Sequence, residues 1–247
     1  MALTFTASDK IGDIVAKLPK ASEVFKKYRI DFCCGGGKLV SEAARENGLN
    51  EREIVDDLNR LAADVLASSQ EYTSWVNAPY DKLVDHIVNT HHAYLYTHFA
   101  PIGEYVTKIL RVHGAHHPEL AEVHKLYHNL KTELEQHMIQ EETVTFPLIK
   151  DFAANPSPEL AKQALDTVGD LENDHDEAGQ LLKKLRKVTN DFTTPPDGCT
   201  TYQATYRMLE EMESDIFEHI SLENNILFPR LAQEVGHEHE HEHEHHH

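Results

Sequence analysis

One charged phrase occurs twice in this chain, each time inside an apolar helical pattern. The sequence reads HMIQEETVTFP from His137 and HISLENNILFP from His219, so each copy places Glu four residues after His and ends in Phe-Pro. Residues four apart lie on the same face of an α-helix. An unpaired polar group in an apolar core costs several kcal/mol, so the fold must supply partners for both His-Glu pairs. The closing proline predicts that each helix ends or kinks there.

Four long segments carry apolar residues every three or four positions, the pattern of an amphipathic helix. Loops containing Pro or Gly separate them, namely HGAHHP, ANPSP and TTPPDG. Four such helices joined by short loops predict an all-α fold with an antiparallel four-helix bundle. The predicted ranges are a small N-terminal helical domain at 1–67, a linker at 68–79, the bundle at 80–232, and a His/Glu tail at 233–247 that is interpreted as a purification tag.

Each of the four apolar stripes contains one histidine, and two of them also contain a glutamate. His92 precedes His137 by 45 residues and His175 precedes His219 by 44, so each half of the bundle is predicted to be a helical hairpin. Four imidazoles and two carboxylates without a thiolate suit iron or manganese, with the carboxylates free to bridge two ions. The predicted metal ligands are His92, His137, Glu141, His175, His219 and Glu223.

Two neighbouring residues are excluded from this ligand set by the geometry of the helix. His91 and Glu142 lie about 100° around the helix from His92 and Glu141, and therefore leave the apolar stripe. The alternative to a metal site is a group of core histidines that carboxylates satisfy on their own. A single His-x-x-x-Glu favours that alternative, whereas two matched copies favour a dinuclear metal site.

The net charge of the chain excludes several classes of partner. Asp and Glu number 42 against 23 Lys and Arg, which gives a formal charge of −19. Such a chain repels phosphate backbones and anionic lipid surfaces. The sequence has no apolar run near the roughly 18 residues of a membrane span and no secretory signal at its start. We therefore expect a cytoplasmic protein with neither nucleic acid nor a membrane as partner.

Three stretches carry a resemblance to a known family: RIDFCCGGGKL, NDHDEAGQLL around His175, and EHISLENNILFP. The chain resembles the haemerythrin-like di-iron proteins, and among them the repair-of-iron-centres family of the ScdA and YtfE type. This resemblance implies the same six ligands, holding two non-haem iron ions bridged by oxo and carboxylate groups. It also implies restoration of iron–sulfur clusters damaged by nitric oxide or oxidants. Oxygen-carrying haemerythrins usually use five histidines, so four argue against reversible oxygen carriage.

Two adjacent cysteines, Cys33 and Cys34, precede three glycines and a helix predicted to start near Lys38. A thiol near a helix N-terminus ionises more readily, and glycine allows a partner to approach closely. The pair is therefore predicted to dock on a damaged cluster or to deliver to it. The alternative is two small buried hydrophobic residues. Cys199 lies in a predicted loop, and for it this alternative, a small buried hydrophobic residue, is favoured.

The residues leave more than one function open. The leading hypothesis is a stress-response repair protein whose di-iron centre handles nitric oxide, by reduction for example, or supplies iron to damaged iron–sulfur proteins. The alternatives are a haemerythrin-type sensor or store of oxygen or nitric oxide, and a di-iron oxidase. The Cys33-Cys34 pair favours repair, because a simple carrier needs no thiols. Enzymatic turnover and a homodimeric state are left open.

Overall fold

A computed structural model describes residues 3–68 and 74–236 of the chain, and the regular structure in these ranges is helical. The α-helices are α1 Ile11–Lys17, α2 Ala21–Lys27, α3 Val40–Glu46, α4 Glu51–Ala67, α5 Tyr80–His86, α6 Ala93–His113, α7 Glu119–Gln140, α8 Phe146–Ala154, α9 Pro158–Leu165, α10 Val168–Val188, α11 Thr200–Leu222 and α12 Phe228–Gly236. Three π-helical turns lie between them, at Ile87–His92, Glu141–Thr145 and Glu223–Leu227. The predicted all-α class is confirmed. No helix in the described ranges has both the length and the apolar character that a bilayer crossing requires.

The helices form two compact units. The first unit runs to Leu83 and resumes at Phe217, and the second unit runs from Val84 to Ile216. Helix α11 begins in the second unit and ends in the first. The sequence analysis instead predicts one domain that ends at residue 67 and a second that begins at residue 80. These domain ranges stay predictions.

The first unit has its own apolar core, built mainly from α1 to α4 and the loops between them. The segment after Ile216 packs on these helices and on the loops between them. The ring of Phe217 meets the ring of Phe32 edge-on, with centroids 6.1 Å apart. The carboxylate of Glu218 accepts from the Ser22 hydroxyl at 2.8 Å and from the Lys26 ammonium at 2.6 Å. The N-terminal helices and the end of α11 therefore belong to one packed body.

The structure describes part of the predicted linker and part of the predicted tail. In the linker predicted at 68–79, the carbonyl of Trp75 accepts a hydrogen bond from Arg230 at 3.1 Å. Helix α12 continues to Gly236 and so includes the first four residues of the range predicted as a tail, 233–236. The Glu234 carboxylate in that last turn accepts from the Tyr80 hydroxyl at 3.0 Å. The remainder of both predicted segments, residues 69–73 and 237–247, lies outside the described residues.

The long helices of the second unit run antiparallel. Helix α7 packs against both α6 and α10. The end of α6 lies beside the start of α11, since the ring of His113 packs edge-on against that of Tyr202. The turn before α6 lies near the other end of α11, since His91 pairs with Asp215. The segment 161–185, which has a single apolar period in the sequence, forms two helices, α9 and α10. The break is a turn at Asp166 and Thr167, where the N–H and the hydroxyl of Thr167 both donate to the carbonyl of Ala164, at 3.1 and 2.7 Å.

Candidate metal centre

Each of the three π-helical turns contains a predicted metal ligand. His92 is the last residue of the first turn, and Glu141 and Glu223 begin the second and third. The backbone N–H of Phe146 donates to the carbonyl of Glu141, five residues earlier, and Phe228 repeats this bond to Glu223. Single π-helical turns inside α-helices are frequent at functional sites. The hydrophobic period of the sequence did not predict these turns.

The Phe-Pro pairs mark where α-helical hydrogen bonding resumes. Pro147 and Pro229 are each the second residue of an α-helix, one that continues to Ala154 and one to Gly236. Proline has no N–H to donate to the carbonyl four residues earlier, so one bond of a regular α-helix is lost there in any case. The sequence predicted an end or a kink at this point, and the structure has a π-helical turn directly before it.

A first cluster of predicted ligands lies in the second unit and contains His92, His137, Glu141 and His175. All four residues are at most 2% exposed. Glu141 lies between two of the histidines: its Oε2 is 3.0 Å from the Nε2 of His92, and its Oε1 is 3.1 Å from the Nε2 of His137. The Nε2 of His175 is 3.1 Å from the Nε2 of His137. Four predicted ligands from separate helical segments therefore meet at one buried point.

Two carboxylates outside the predicted set hold the other ring nitrogens of this cluster. Glu142 Oε1 lies 2.7 Å from the Nδ1 of His92, and Asp174 Oδ2 lies 3.2 Å from the Nδ1 of His137. An ionised carboxylate can only accept, so Nδ1 must be the protonated nitrogen in both rings. Carboxylates in this outer position orient metal-binding histidines and raise their basicity.

The protonation of these rings supports a bound cation. With the proton on Nδ1, the Nε2 of a neutral imidazole presents only a lone pair. In both His92 and His137 this nitrogen faces an oxygen of Glu141, which is also an acceptor. Without a cation between them, each of these nitrogen–oxygen contacts needs a further proton, either on the ring nitrogen or on Glu141. Imidazole nitrogen and carboxylate oxygen are ligands that iron and manganese accept, so the residues present fit the metal that the resemblance implies.

A second cluster, in the first unit, repeats the same spacing. The Nε2 of His219 lies 2.9 Å from Oε1 of Glu223, and both residues are at most 1% exposed. Two ligand atoms about 2.1 Å from one ion and at right angles to each other lie about 3.0 Å apart. The pairs His137–Glu141 and His219–Glu223 both have this spacing. That all six ligands hold one pair of ions stays a prediction.

The cysteine loop contacts the residues that follow Glu223. Asn224 donates to the backbone carbonyl of Cys33 at 3.3 Å, and Asn225 donates to the carbonyl of the preceding residue in the loop at 2.8 Å. A Cβ atom on Gly36 would lie 2.3 Å from the Asn225 side chain. Glycine is therefore needed for this close approach, which brings Cys33 next to the second cluster.

The two thiols differ from the sequence-based expectation. Cys33 is buried, Cys34 is partly exposed, and their sulfur atoms lie 3.8 Å apart as free thiols. The hydrogen bond to Cys34, burial, and the nearby charge of Asp31 raise the pKa of Cys33 well above its usual value. The expected readily ionised thiolate is therefore wrong for Cys33, because burial outweighs any effect of α3, which starts only at Val40. The ligand atoms of Asp31, Cys33 and Cys34 nevertheless lie within 4.8 Å of one another.

Comparison with known proteins identifies the family. The Hemerythrin HHE cation binding domain matches residues 83–231, and ScdA_N, a domain of unknown function (DUF542), matches residues 7–62. The iron–sulfur cluster repair proteins YtfE of Escherichia coli O157:H7 and Citrobacter koseri are each 36% identical to the chain over 220 residues. That of Shigella boydii serotype 4 is 35% identical over the same length. Each match covers 89% of this chain and 94% of the relative.

The chain belongs to the YtfE-type family of haemerythrin-like proteins. The predicted resemblance is thereby confirmed, and so is the haemerythrin-like helical bundle. As a member of this family the chain binds metal through its HHE domain, whose range contains both His/Glu clusters.

Sequence reasoning missed the two outer carboxylates of this family member. Glu142 was excluded from the predicted ligand set because it leaves the apolar stripe, and Asp174 was given no predicted role. Both are direct chain neighbours of a predicted ligand, Glu141 in one case and His175 in the other. A carboxylate next to a ligand points about 100° away from it, where it can reach a histidine on an adjacent helix. That adjacency is the one signal that could have found them.

Proposed function

We propose that the chain repairs iron–sulfur clusters damaged by nitrosative or oxidative stress, and that its six His and Glu ligands hold two iron ions. The observation that carries the proposal is the pair of buried nitrogens on His92 and His137 that face the acceptor oxygens of Glu141. The similarity to curated iron–sulfur cluster repair proteins across 89% of the chain supports the repair function.

Each residue of the proposed centre has a separate task. Glu141 and Glu223 would bridge the ions, and the four histidines would complete the ligand set. Glu142 and Asp174 hold the proton on the outer nitrogen of two rings, which keeps the inner nitrogen free to bind metal. Iron held in this way supplies redox chemistry and binding of nitric oxide or dioxygen. Burial of the ligands keeps bulk water away from them.

The proposal includes delivery or docking by Cys33 and Cys34. Asn224 directly follows Glu223, and its side chain donates to the backbone carbonyl of Cys33. The cysteine loop is therefore a neighbour of this predicted ligand. Metal binding removes the proton from a thiol, so a raised pKa of free Cys33 is compatible with transient iron binding. Asp31 would add an oxygen ligand to the two sulfurs. The thiols would then stay protonated until an iron ion binds and displaces the proton.

The targets of this activity are damaged iron–sulfur proteins, as the name of the curated relatives indicates. We propose a cytoplasmic location, because Cys33 and Cys34 are free thiols and thiols stay reduced in that compartment. Nitric oxide and dioxygen are the small ligands in the proposal. A homodimer is compatible with it and is not required by it.

Metal analysis tests the di-iron centre. Chain freed of its His/Glu tail is loaded anaerobically with Fe(II), desalted, and examined by elemental analysis and Mössbauer spectroscopy before and after nitric oxide. We expect two irons per chain and a coupled spectrum that nitric oxide changes. One zinc ion per chain without a dinuclear iron signal would exclude the proposed centre.

A repair assay tests the function itself. An aconitase-type hydratase is inactivated with nitric oxide and then incubated with iron-loaded chain. We expect the double variant Cys33→Ala with Cys34→Ala to keep its iron and its spectrum, because neither thiol belongs to the predicted ligand set. We expect it to lose reactivation, whereas the control Cys199→Ala retains it. Full reactivation by the double variant would remove the delivery role, and no reactivation by the wild type would favour a sensor or store.

A further inference from the structure

A second pair of reactive groups lies in the second unit, apart from the proposed ligands. Cys199 is exposed and directly precedes α11, which is 23 residues long. Its carbonyl accepts from the N–H of Gln203 at 3.0 Å, so it occupies the capping position of the helix. The backbone N–H groups of Tyr202 and Thr201, in the first turn of the helix, favour the thiolate form of Cys199. The partial positive charge of a helix N-terminus favours an anion at this place.

An imidazole contacts the same sulfur from another helix. The Nε2 of His113, at the end of α6, lies 3.2 Å from Sγ of Cys199. The Tyr202 ring packs edge-on against His113, with centroids 5.2 Å apart, and against His117 at 5.8 Å. His117 is itself held by Asp197 at 2.9 Å. The His113 ring is therefore positioned by packing, and Cys199 forms a thiol–imidazole pair.

The two cysteine environments of the chain have opposite effects on ionisation. The hydrogen bond from His113, followed by those from the backbone N–H groups, lowers the pKa of Cys199 to about 7. The hydrogen bond to Cys34, followed by burial, raises the pKa of Cys33. Thiolate is the reactive form of cysteine. Near neutral pH, Cys199 is therefore accessible and about half ionised, whereas Cys33 is buried and protonated.

We propose that Cys199, paired with His113, is a site of thiol–disulfide exchange with small disulfides. The Cys199 thiolate attacks one sulfur of the disulfide, a new S–S bond forms, and the original S–S bond breaks. The second sulfur leaves as a thiolate and takes up a proton from solvent. Electrons balance without another oxidant. The product is a mixed disulfide on the chain, and the site is independent of the proposed iron centre.

The test follows modification of the full chain by oxidised glutathione across pH 5.5–9.5, with mass mapping of each cysteine. We expect Cys199 to react before Cys33 and Cys34, with a pH midpoint near 7. Replacing His113 with Gln should move this midpoint upward by more than one pH unit. Since a higher pKa lowers the thiolate fraction but raises nucleophilicity, the rate at pH 7 should fall by only about threefold.

The matched control is His116→Gln, which removes an exposed histidine of the same loop and should leave the profile unchanged. Circular dichroism checks that both variants fold. The wild-type profile needs no variant: a midpoint above 8.5, or a Cys199 rate equal to that of an unfolded cysteine peptide at pH 7, overturns the proposal. An unchanged midpoint in folded His113→Gln overturns the role of the imidazole.

Discussion

Glu142 gives the sharpest test of how the first cluster binds metal. Its carboxylate lies 2.7 Å from the Nδ1 of His92, outside the ligand set, next to Glu141 in the chain. Replacing Glu142 with Ala removes the acceptor and leaves every predicted ligand in place. We expect the variant to keep both irons when metal is in excess and to bind them more weakly. Glu141→Ala should instead lose a bridging ligand and retain at most one tightly bound ion.

The size of the effect follows from the geometry of Glu142. A hydrogen bond to a charged group contributes about 1.5–3 kcal/mol, and the 34% exposure of this side chain lets water replace part of it. We therefore expect a loss of about 1.5 kcal/mol, or roughly tenfold in iron affinity, within the range known for outer carboxylates. Glu142→Gln keeps a neutral acceptor, and its loss should be about half as large in free energy.

Chelator competition measures these affinities. Iron-loaded variants are titrated with a coloured Fe(II) chelator, and the equilibrium and release rate are read optically. Glu135→Gln is the matched control, because Glu135 lies on the same helix and pairs with Lys131 rather than with a predicted ligand. An affinity of Glu142→Ala equal to wild type would refute the outer-carboxylate role. Loss of iron in Glu142→Ala with full retention in Glu141→Ala would refute the assigned helical register.

Three further predictions concern stability. Glu213→Ala should lower the free energy of unfolding by about 3 kcal/mol in urea titrations, because it leaves the Arg186 guanidinium without its buried partner. The carboxylate of Glu210 is largely exposed, so Glu210→Ala should change the free energy of unfolding by less than about 1 kcal/mol. Asp197 and Glu119 raise the pKa of His117, so its contribution is complete below the unfolded pKa near 6.5 and is lost as pH rises through the higher folded value. His117→Gln should therefore flatten the decrease in stability between pH 6 and pH 8, and an unchanged slope would contradict this. Iron removal by a chelator should lower the melting temperature, since a ligand that binds only the folded chain stabilises it; equal melting temperatures with and without iron would contradict native-state binding.

Much of the fold could be predicted from the local pattern of residues. Apolar residues at helical spacing, with Pro and Gly in the loops, predict long helices without any knowledge of their contacts. The pattern from 161 to 185 shows the limit, because its period continues through Thr167 whereas the helix does not. A turn defined by local hydrogen bonds leaves no trace in the hydrophobic period. The π-helical turns at Glu141 and Glu223 were missed for the same reason, since backbone hydrogen bonds define them.

The sequence by itself determined which residues are candidate ligands. His and Glu four residues apart, inside an apolar stripe and written twice, need compensation wherever the helices pack. Only the tertiary structure decided which nitrogen of each ring faces Glu141, because Glu142 and Asp174 contact the outer nitrogens of His92 and His137. It likewise decided that Cys33 is a protonated thiol while Cys199 ionises near neutrality. The hydrogen bond to Cys34, burial and Asp31 act on Cys33, whereas His113, 86 residues away in the chain, acts on Cys199.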